Sequence, residues 1–233
     1  MVEVGPGLGS LTVALAAGGA EVVAVEVDPA LIPALEEAVA SLERVRVVLA
    51  DAVSVDWAKL LGPERVPWSM VANLPYNVAV PVVMRALERE PRVERFLVMV
   101  QREVGERLSA RPGDPQFGAL SLRIAYRADA RVVRPISRTV FWPRPNVDSV
   151  LVTMRRRPPP VDVDEAALWR VISESFEQRR KTMRGAMVRL GLSRPQAEEV
   201  LLRCGIEPSA RPEELGLEAF ACLAEGWLSL APR

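Results

Sequence analysis

The stretch that most constrains this chain is its first. Val2 to Leu11 reads V-E-V-G-P-G-L-G-S-L. A short apolar run with one acidic residue, Glu3, breaks into glycines at alternate positions, Gly5, Gly7 and Gly9. It then passes straight into Leu11-Thr12-Val13-Ala14-Leu15. That order predicts a buried strand, a tight loop and the start of a helix. Glycine admits positive φ and lets a ligand approach where a Cβ would block it. Loop amides and a helix N-terminus together offer donors to a polar ligand group. Many nucleotide-binding loops share the pattern, and a plain turn satisfies it too, so the downstream sequence has to decide.

The first helix is expected over 10–18, ended by Gly18-Gly19. Nearly unbroken apolar runs predict strands over 21–27, 45–49, 68–72 and 96–100, with helices over 29–42 and 81–90 between them. Strand and helix alternating at this spacing imply right-handed crossovers and a doubly wound α/β sheet. Residues 102–127 look helical around a loop at 111–115. Segments 130–135 and 147–154 read as two strands joined by proline-rich 141–146, a terminal hairpin on a mostly parallel sheet. Pro158-Pro159-Pro160 is a stiff boundary. Beyond it 164–178, 180–190, 194–204 and 215–228 are helical in pattern. The expected organisation is an α/β domain over 1–157 and a small all-helical domain over 158–233.

Charge adds a direction. The chain is neutral overall, but residues 81–157 carry 16 basic and 8 acidic side chains, while residues 1–80 carry 4 and 10. A basic middle in a neutral protein points to a polyanionic partner, with a solvated arginine-rich surface as the bland alternative. With no histidine, Ser-His and Cys-His pairs and histidine metal sites are excluded. Cys204 and Cys222 lie in helical-looking sequence and are expected to be buried free thiols. No apolar run reaches about 18 residues, so no membrane span is expected.

Ligands of open α/β sheets bind outside the carboxyl ends of the strands. Those ends carry Glu3 with the glycine loop, then Glu26, then Asp51-Ala52, then Asn73-Leu74-Pro75-Tyr76. A carboxylate at Glu26 can accept both hydroxyls of a ribose, and one at Asp51 can accept an adenine amino hydrogen. Such a set fits NAD and S-adenosylmethionine alike. The spacing G-x-G-x-G, in place of G-x-G-x-x-G, favours the methyl donor. Asn73 beside a proline-stiffened turn holds a carboxamide oxygen and two backbone carbonyls in fixed directions, and Tyr76 offers a flat ring. That suits a flipped-out base bearing an exocyclic amine. Phe141, in F-W-P-R-P, is placed to cover the base from the other side, or else packs into the sheet edge.

These motifs carry a resemblance. E-V-G-P-G-L-G-S-L-T (3–12), Glu26, D-A (51–52), N-L-P-Y-N (73–77), Q-R-E-V-G-E-R-L (101–108), F-G-A-L-S (117–121), F-W-P-R-P-N-V-D-S (141–149) and F-E-Q-R-R-K-T (176–182) run in order along almost the whole chain. They resemble the ribosomal RNA adenine dimethyltransferases, most closely the bacterial KsgA (RsmA) type. The sister Erm enzymes usually show N-I-P-Y and a lysine in the glycine loop, so Leu74, Leu8 and residues 178–182 favour the KsgA type.

The resemblance implies a Rossmann-like class I methyltransferase sheet and S-adenosyl-L-methionine as donor, with no metal. The acceptors would be two adjacent adenosines in the 3′-terminal hairpin loop of small-subunit rRNA, each taking two methyls during ribosome maturation. Glu3, Gly5, Gly7, Gly9, Glu26, Asp51, Ala52 and Asn73 would hold the donor. Asn73, Leu74, Pro75, Tyr76 and Phe141 would hold and activate the base. Arg179, Arg180 and Lys181 would meet rRNA phosphates from the helical domain. The partner would be small-subunit rRNA or the pre-ribosomal small subunit, met by a cytoplasmic monomer away from any membrane. Family members also carry a segment ahead of the glycine motif, with a Q-N-F-L stretch against the methionine part of the donor. This chain begins at its first strand, so the donor pocket is expected to lack a wall and turnover to be weak. Two other readings remain open: an Erm-like large-subunit methyltransferase, and a ribosome-assembly factor that binds without turnover.

Overall fold

The computed structural model describes residues 1–64, 66–178 and 180–230. They form two compact units. One comprises Met1–Gly105 with Asp129–Arg156, and the other Glu106–Ala128 with Arg157 onward. The sequence boundary at 157/158 lies beside the break at Arg156. Residues 106–128, which that boundary leaves with the sheet, group instead with the C-terminal helices.

In the first unit β1 (Val2–Val4), α1 (Ser10–Ala17), β2 (Val22–Glu26), α2 (Ile32–Val39) and β3 (Val45–Leu49) alternate from the start. They are followed by α3 (Trp57–Leu61), β4 (Trp68–Asn73), α4 (Ala79–Arg89) and β5 (Val93–Gln101). Next comes α5 (Arg102–Ser109), in which the first crossing between units falls, and the second unit supplies α6 (Ala119–Arg127). The sheet is completed by β6 (Ala128–Ile136) and β7 (Ser149–Arg156). The strand order is β3-β2-β1-β4-β5-β7-β6. Pairings from β3 through β5 are parallel, and β7 runs antiparallel to β5.

Every residue of β1 and β2 is buried, as strands covered on both faces require. Connections leave β1 towards β2 on one side and reach β4 on the other, so the crevice at the carboxyl ends of β1 and β4 is the topological switch point. Away from that crevice the sheet is tied by arginines. Arg156 on β7 donates to the carbonyls of Ala86, Leu87 and Glu90 at the end of α4. Arg92 pairs at 2.8 Å with Glu90, which is buried, and the Arg92 hydrogen bond holds the Glu90 carboxyl below the usual range.

The second unit adds α7 (Glu165–Glu177), α8 (Met183–Arg189), α9 (Arg194–Arg203) and α10 (Leu217–Leu230) to α6. Their apolar faces close over Leu122, Leu168, Ile172, Met187, Leu201 and Phe220. Cys204 and Cys222 are not free thiols, because they form a disulfide with Cα atoms 5.8 Å apart. Cys204 closes α9 and Cys222 lies in α10, and tertiary packing brings them within bridging range. Their positions in sequence carry no trace of that approach.

The glycine of Q-R-E-V-G-E-R-L has a packing cause. A Cβ on Gly105 would lie 2.2 Å from Val150 Cγ2 and 3.0 Å from Val152 Cγ2 on β7. Gly105→Ala is therefore expected to cost about 1–3 kcal/mol through overpacking, read as a lower midpoint in urea unfolding. An unchanged midpoint would show that the helix and strand have room to part.

Candidate active site

The glycine loop leaves β1 beneath the turn that follows β4. Gly5 has φ 70°, and a Cβ there would sit 3.0 Å from Pro75 Cδ and 3.9 Å from the Asn73 carbonyl oxygen. Any other residue at position 5 would be strained and would push the two loops apart. Gly7 has φ 57°, and a Cβ there would meet nothing within 4 Å. It is the open side of the loop, where a ligand has room to approach the backbone.

Glu26, the last residue of β2, is buried and holds the loop. Its Oε2 accepts from Gly7 N–H at 3.1 Å, and its Oε1 accepts from Val27 and Asp28 N–H at 2.9 and 3.0 Å. An ionised carboxylate has about four acceptor positions, so capacity remains for a ligand hydroxyl. Ala50 N–H donates to the Glu26 carbonyl at 2.8 Å and sets the end of β3 beside that of β2. Asp51 is exposed there, its carboxylate accepting from Val53 N–H and Ser54 Oγ–H. Ala52 is buried, and its carbonyl accepts from the indole N–H of Trp57.

Glu3 departs from the expected role. It is 1% exposed, and its Oε2 accepts from the Thr12 hydroxyl at 2.6 Å. Burial pushes its carboxyl up, partly countered by the Thr12 hydrogen bond. Because both faces of β1 are covered, a side chain at its centre points into protein. Glu3 thus ties β1 to α1 behind the loop and is withdrawn from the ligand side.

The second half of the site is a cavity of about 350 Å³, with Asn73 to Tyr76 on one side and Phe141, Trp142, Pro143 and Pro145 on the other. Asn73 ends β4 and is exposed, while the Leu74 side chain is 1% exposed and anchors the turn in the core. Leu74 N–H donates to the Met99 carbonyl at 3.1 Å, and the Pro75 carbonyl accepts from Val78 N–H at 3.1 Å. Tyr76 Oη lies 2.7 Å from Oγ of Ser149, which is fully buried at the start of β7. The opposite wall is pinned by Asp148, whose carboxylate accepts from Arg138 N–H and from the Arg102 guanidinium, both at 3.0 Å. Those contacts, the Arg138 N–H first, hold its carboxyl below the usual range.

The structure therefore brings Gly5, Gly7, Gly9, Glu26, Asp51, Ala52, Asn73–Tyr76 and Phe141 to one end of the first unit. Arg180 and Lys181 belong to the second unit, exposed in the turn before α8, and Arg179 lies outside the described residues. Sequence reasoning missed Thr12, Trp57, Arg102 and Ser149 as supports of the site. The N-V-D-S motif singled out the segment of Ser149, but no spacing reveals that its hydroxyl meets Tyr76. Among the described residues no group of His, Cys, Asp or Glu converges as a metal site would, and no helix is long and apolar enough to cross a membrane.

A sheet in this order, with a glycine loop after β1, an acidic end to β2 and a base-sized cavity after β4, is a Rossmann-like class I methyltransferase fold. Similar solved structures include a dimethyladenosine transferase from Plasmodium falciparum, with TM-score 0.79 and 20% identity over 95% of this chain and 87% of that one. The 23S rRNA methyltransferase ErmE matches with TM-score 0.72 and 26% identity over 97% and 89%. The family described as ribosomal RNA adenine dimethylase matches residues 1–224, and the chain belongs to that family. Among its relatives are proteins named ribosomal RNA small subunit methyltransferase A. That of Thermobifida fusca is 50% identical over 97% of this chain and 79% of its own length. That of Moorella thermoacetica is 43% identical over 96% and 81%.

The buried carboxyl gives a test of the loop's support. With its folded pKa raised, Glu3 carries a destabilising buried charge above that pKa, and the cost fades as pH falls through it. Glu3→Gln keeps an acceptor for Thr12 without the charge. It is expected to melt above the parent at pH values above the raised pKa and to lose that advantage as pH falls through it. An advantage that grows on acidification would contradict the assignment.

Proposed function

We propose that this chain transfers methyl groups from S-adenosylmethionine to the N6 amines of two adjacent adenosines in the 3′-terminal hairpin loop of small-subunit rRNA, two to each. The observation that carries the reading is the packing of the glycine loop against the acceptor turn, so close that a Cβ on Gly5 would lie 3.0 Å from Pro75 Cδ. Relatives named for the small subunit at 43–50% identity favour that RNA over the large-subunit RNA of ErmE, matched at 26%.

The residues fit the donor. The open face at Gly7 takes its backbone approach, Glu26 retains acceptor capacity for ribose hydroxyls, and Asp51 is exposed at the adenine edge. When bound, S-adenosylmethionine supplies an electrophilic methyl group on a sulfonium. The rest of the chemistry falls to positioning. An adenine amine is a poor nucleophile because its lone pair is delocalised into the ring. Asn73 Oδ1 and a main-chain carbonyl of Leu74 or Pro75 accept its two hydrogens and favour a pyramidal nitrogen. Tyr76 and Phe141 hold the ring so that the lone pair faces the methyl, which supplies much of the rate as orientation. The proton becomes acidic only as the C–N bond forms and then passes to water, so a chain without histidine lacks nothing essential. Arg180 and Lys181 contact rRNA phosphates, a term that falls steeply with salt.

Asn73→Ala is expected to lower single-turnover transfer about a hundredfold or more, with donor affinity by calorimetry lowered far less. Unchanged transfer would refute the assigned role. Tyr76→Phe and Ser149→Ala each remove one hydrogen bond, and the double variant is expected to lose no more rate than either single one. Additive losses would mean that the hydroxyls act separately.

A further inference from the structure

We propose that Trp142 is a stacking platform for the nucleotide adjoining the adenosine in the cavity, an inference that rests on the function proposed above. Trp142 is 96% exposed, the highest value among the large exposed hydrophobic residues described. An indole carries a large apolar surface that folding normally removes from water, so holding it out gives up burial. Its position is not incidental, because it stands in the wall of the cavity that faces Asn73 to Tyr76.

The indole is presented by a stiff loop. Asp148 grips the loop's beginning through Arg138 N–H, and the Arg138 guanidinium donates to the Asn146 carbonyl at its far end. Pro143 and Pro145 restrict the chain between them. A loop backbone held in place before binding loses little further freedom when its side chain is covered.

The chemistry fits a nucleobase. A base drawn into a pocket leaves the face of its neighbour bare, and an aromatic ring at the pocket rim replaces the lost stacking. Aromatic and arginine side chains interleaved are the usual surface for unpaired nucleic acid, and Arg144 is exposed two residues on. Where two adjacent adenosines are acceptors, the neighbour is the other acceptor. Trp142 would then hold one purine while its partner reacts. Val140 and Val147 are also exposed on this loop, which makes a protein surface the rival occupant. Continuity with the base cavity and the arginine favour RNA.

A synthetic hairpin RNA with two adjacent loop adenosines, one replaced by fluorescent 2-aminopurine, tests this. Stacking on the indole is expected to quench the probe with the parent protein, largely so with Trp142→Phe, and not with Trp142→Ala. Trp142→Ala should also bind the hairpin about tenfold more weakly, with S-adenosylmethionine affinity unchanged. Equal quenching and affinity in Trp142→Ala would overturn the inference. So would a loss seen with assembled small subunits and absent with the hairpin, which would assign the loop to a protein. Methyl transfer to unmethylated small subunits, measured in parallel, separates the two levels. Transfer without an effect of Trp142 removes only the platform, while quenching without transfer removes only the proposed activity.

Discussion

The site depends on the close packing of the glycine-loop backbone against the Pro75 ring. A Cβ at position 5 would crowd the Pro75 ring at 3.0 Å, and the left-handed φ of Gly5 would itself strain a substitute. That contact makes a ligand loop and a base-binding turn parts of one pocket. It is possible because β1 and β4 are adjacent parallel strands at the switch point of the sheet. Their loops emerge side by side from a rigid, doubly covered layer.

Around that contact the protein spends hydrogen bonds on stiffness. Glu26 gathers three N–H groups from the glycine loop and the end of β2, while Glu3 and Thr12 brace the same loop from behind. On the acceptor side, Leu74 is sunk in the core, Tyr76 is held by Ser149, and Asp148 clamps the aromatic loop. Transfer of a methyl to a weak nucleophile gains most from fixed orientation. A scaffold that fixes the donor loop, the acceptor turn and the Tyr76 ring separately is therefore suited to it.

Much of this was legible in the sequence. Apolar runs with polar ends mark the strands, and 45–49 matches β3 at both ends although this edge strand is only partly buried. What escaped has physical causes. α3 has five residues, too few for a helical period to declare itself. Glu3 read as a ligand contact because an acid beside a glycine loop carries no sign of which way it faces. Tyr76 and Ser149, like Cys204 and Cys222, meet through tertiary packing that local patterns do not encode. Residues 106–128 group with the C-terminal helices, an association that chain order alone does not reveal.

The central claim is that this pocket dimethylates adenosine in small-subunit RNA. The most direct measurement is nucleoside mass spectrometry, with primer extension, on both ribosomal RNAs after unmethylated ribosomes are incubated with the protein and S-adenosylmethionine. The account predicts N6,N6-dimethyladenosine at two adjacent positions near the 3′ end of the small-subunit RNA. Methylation confined to the large-subunit RNA, or to an atom other than N6, would contradict it.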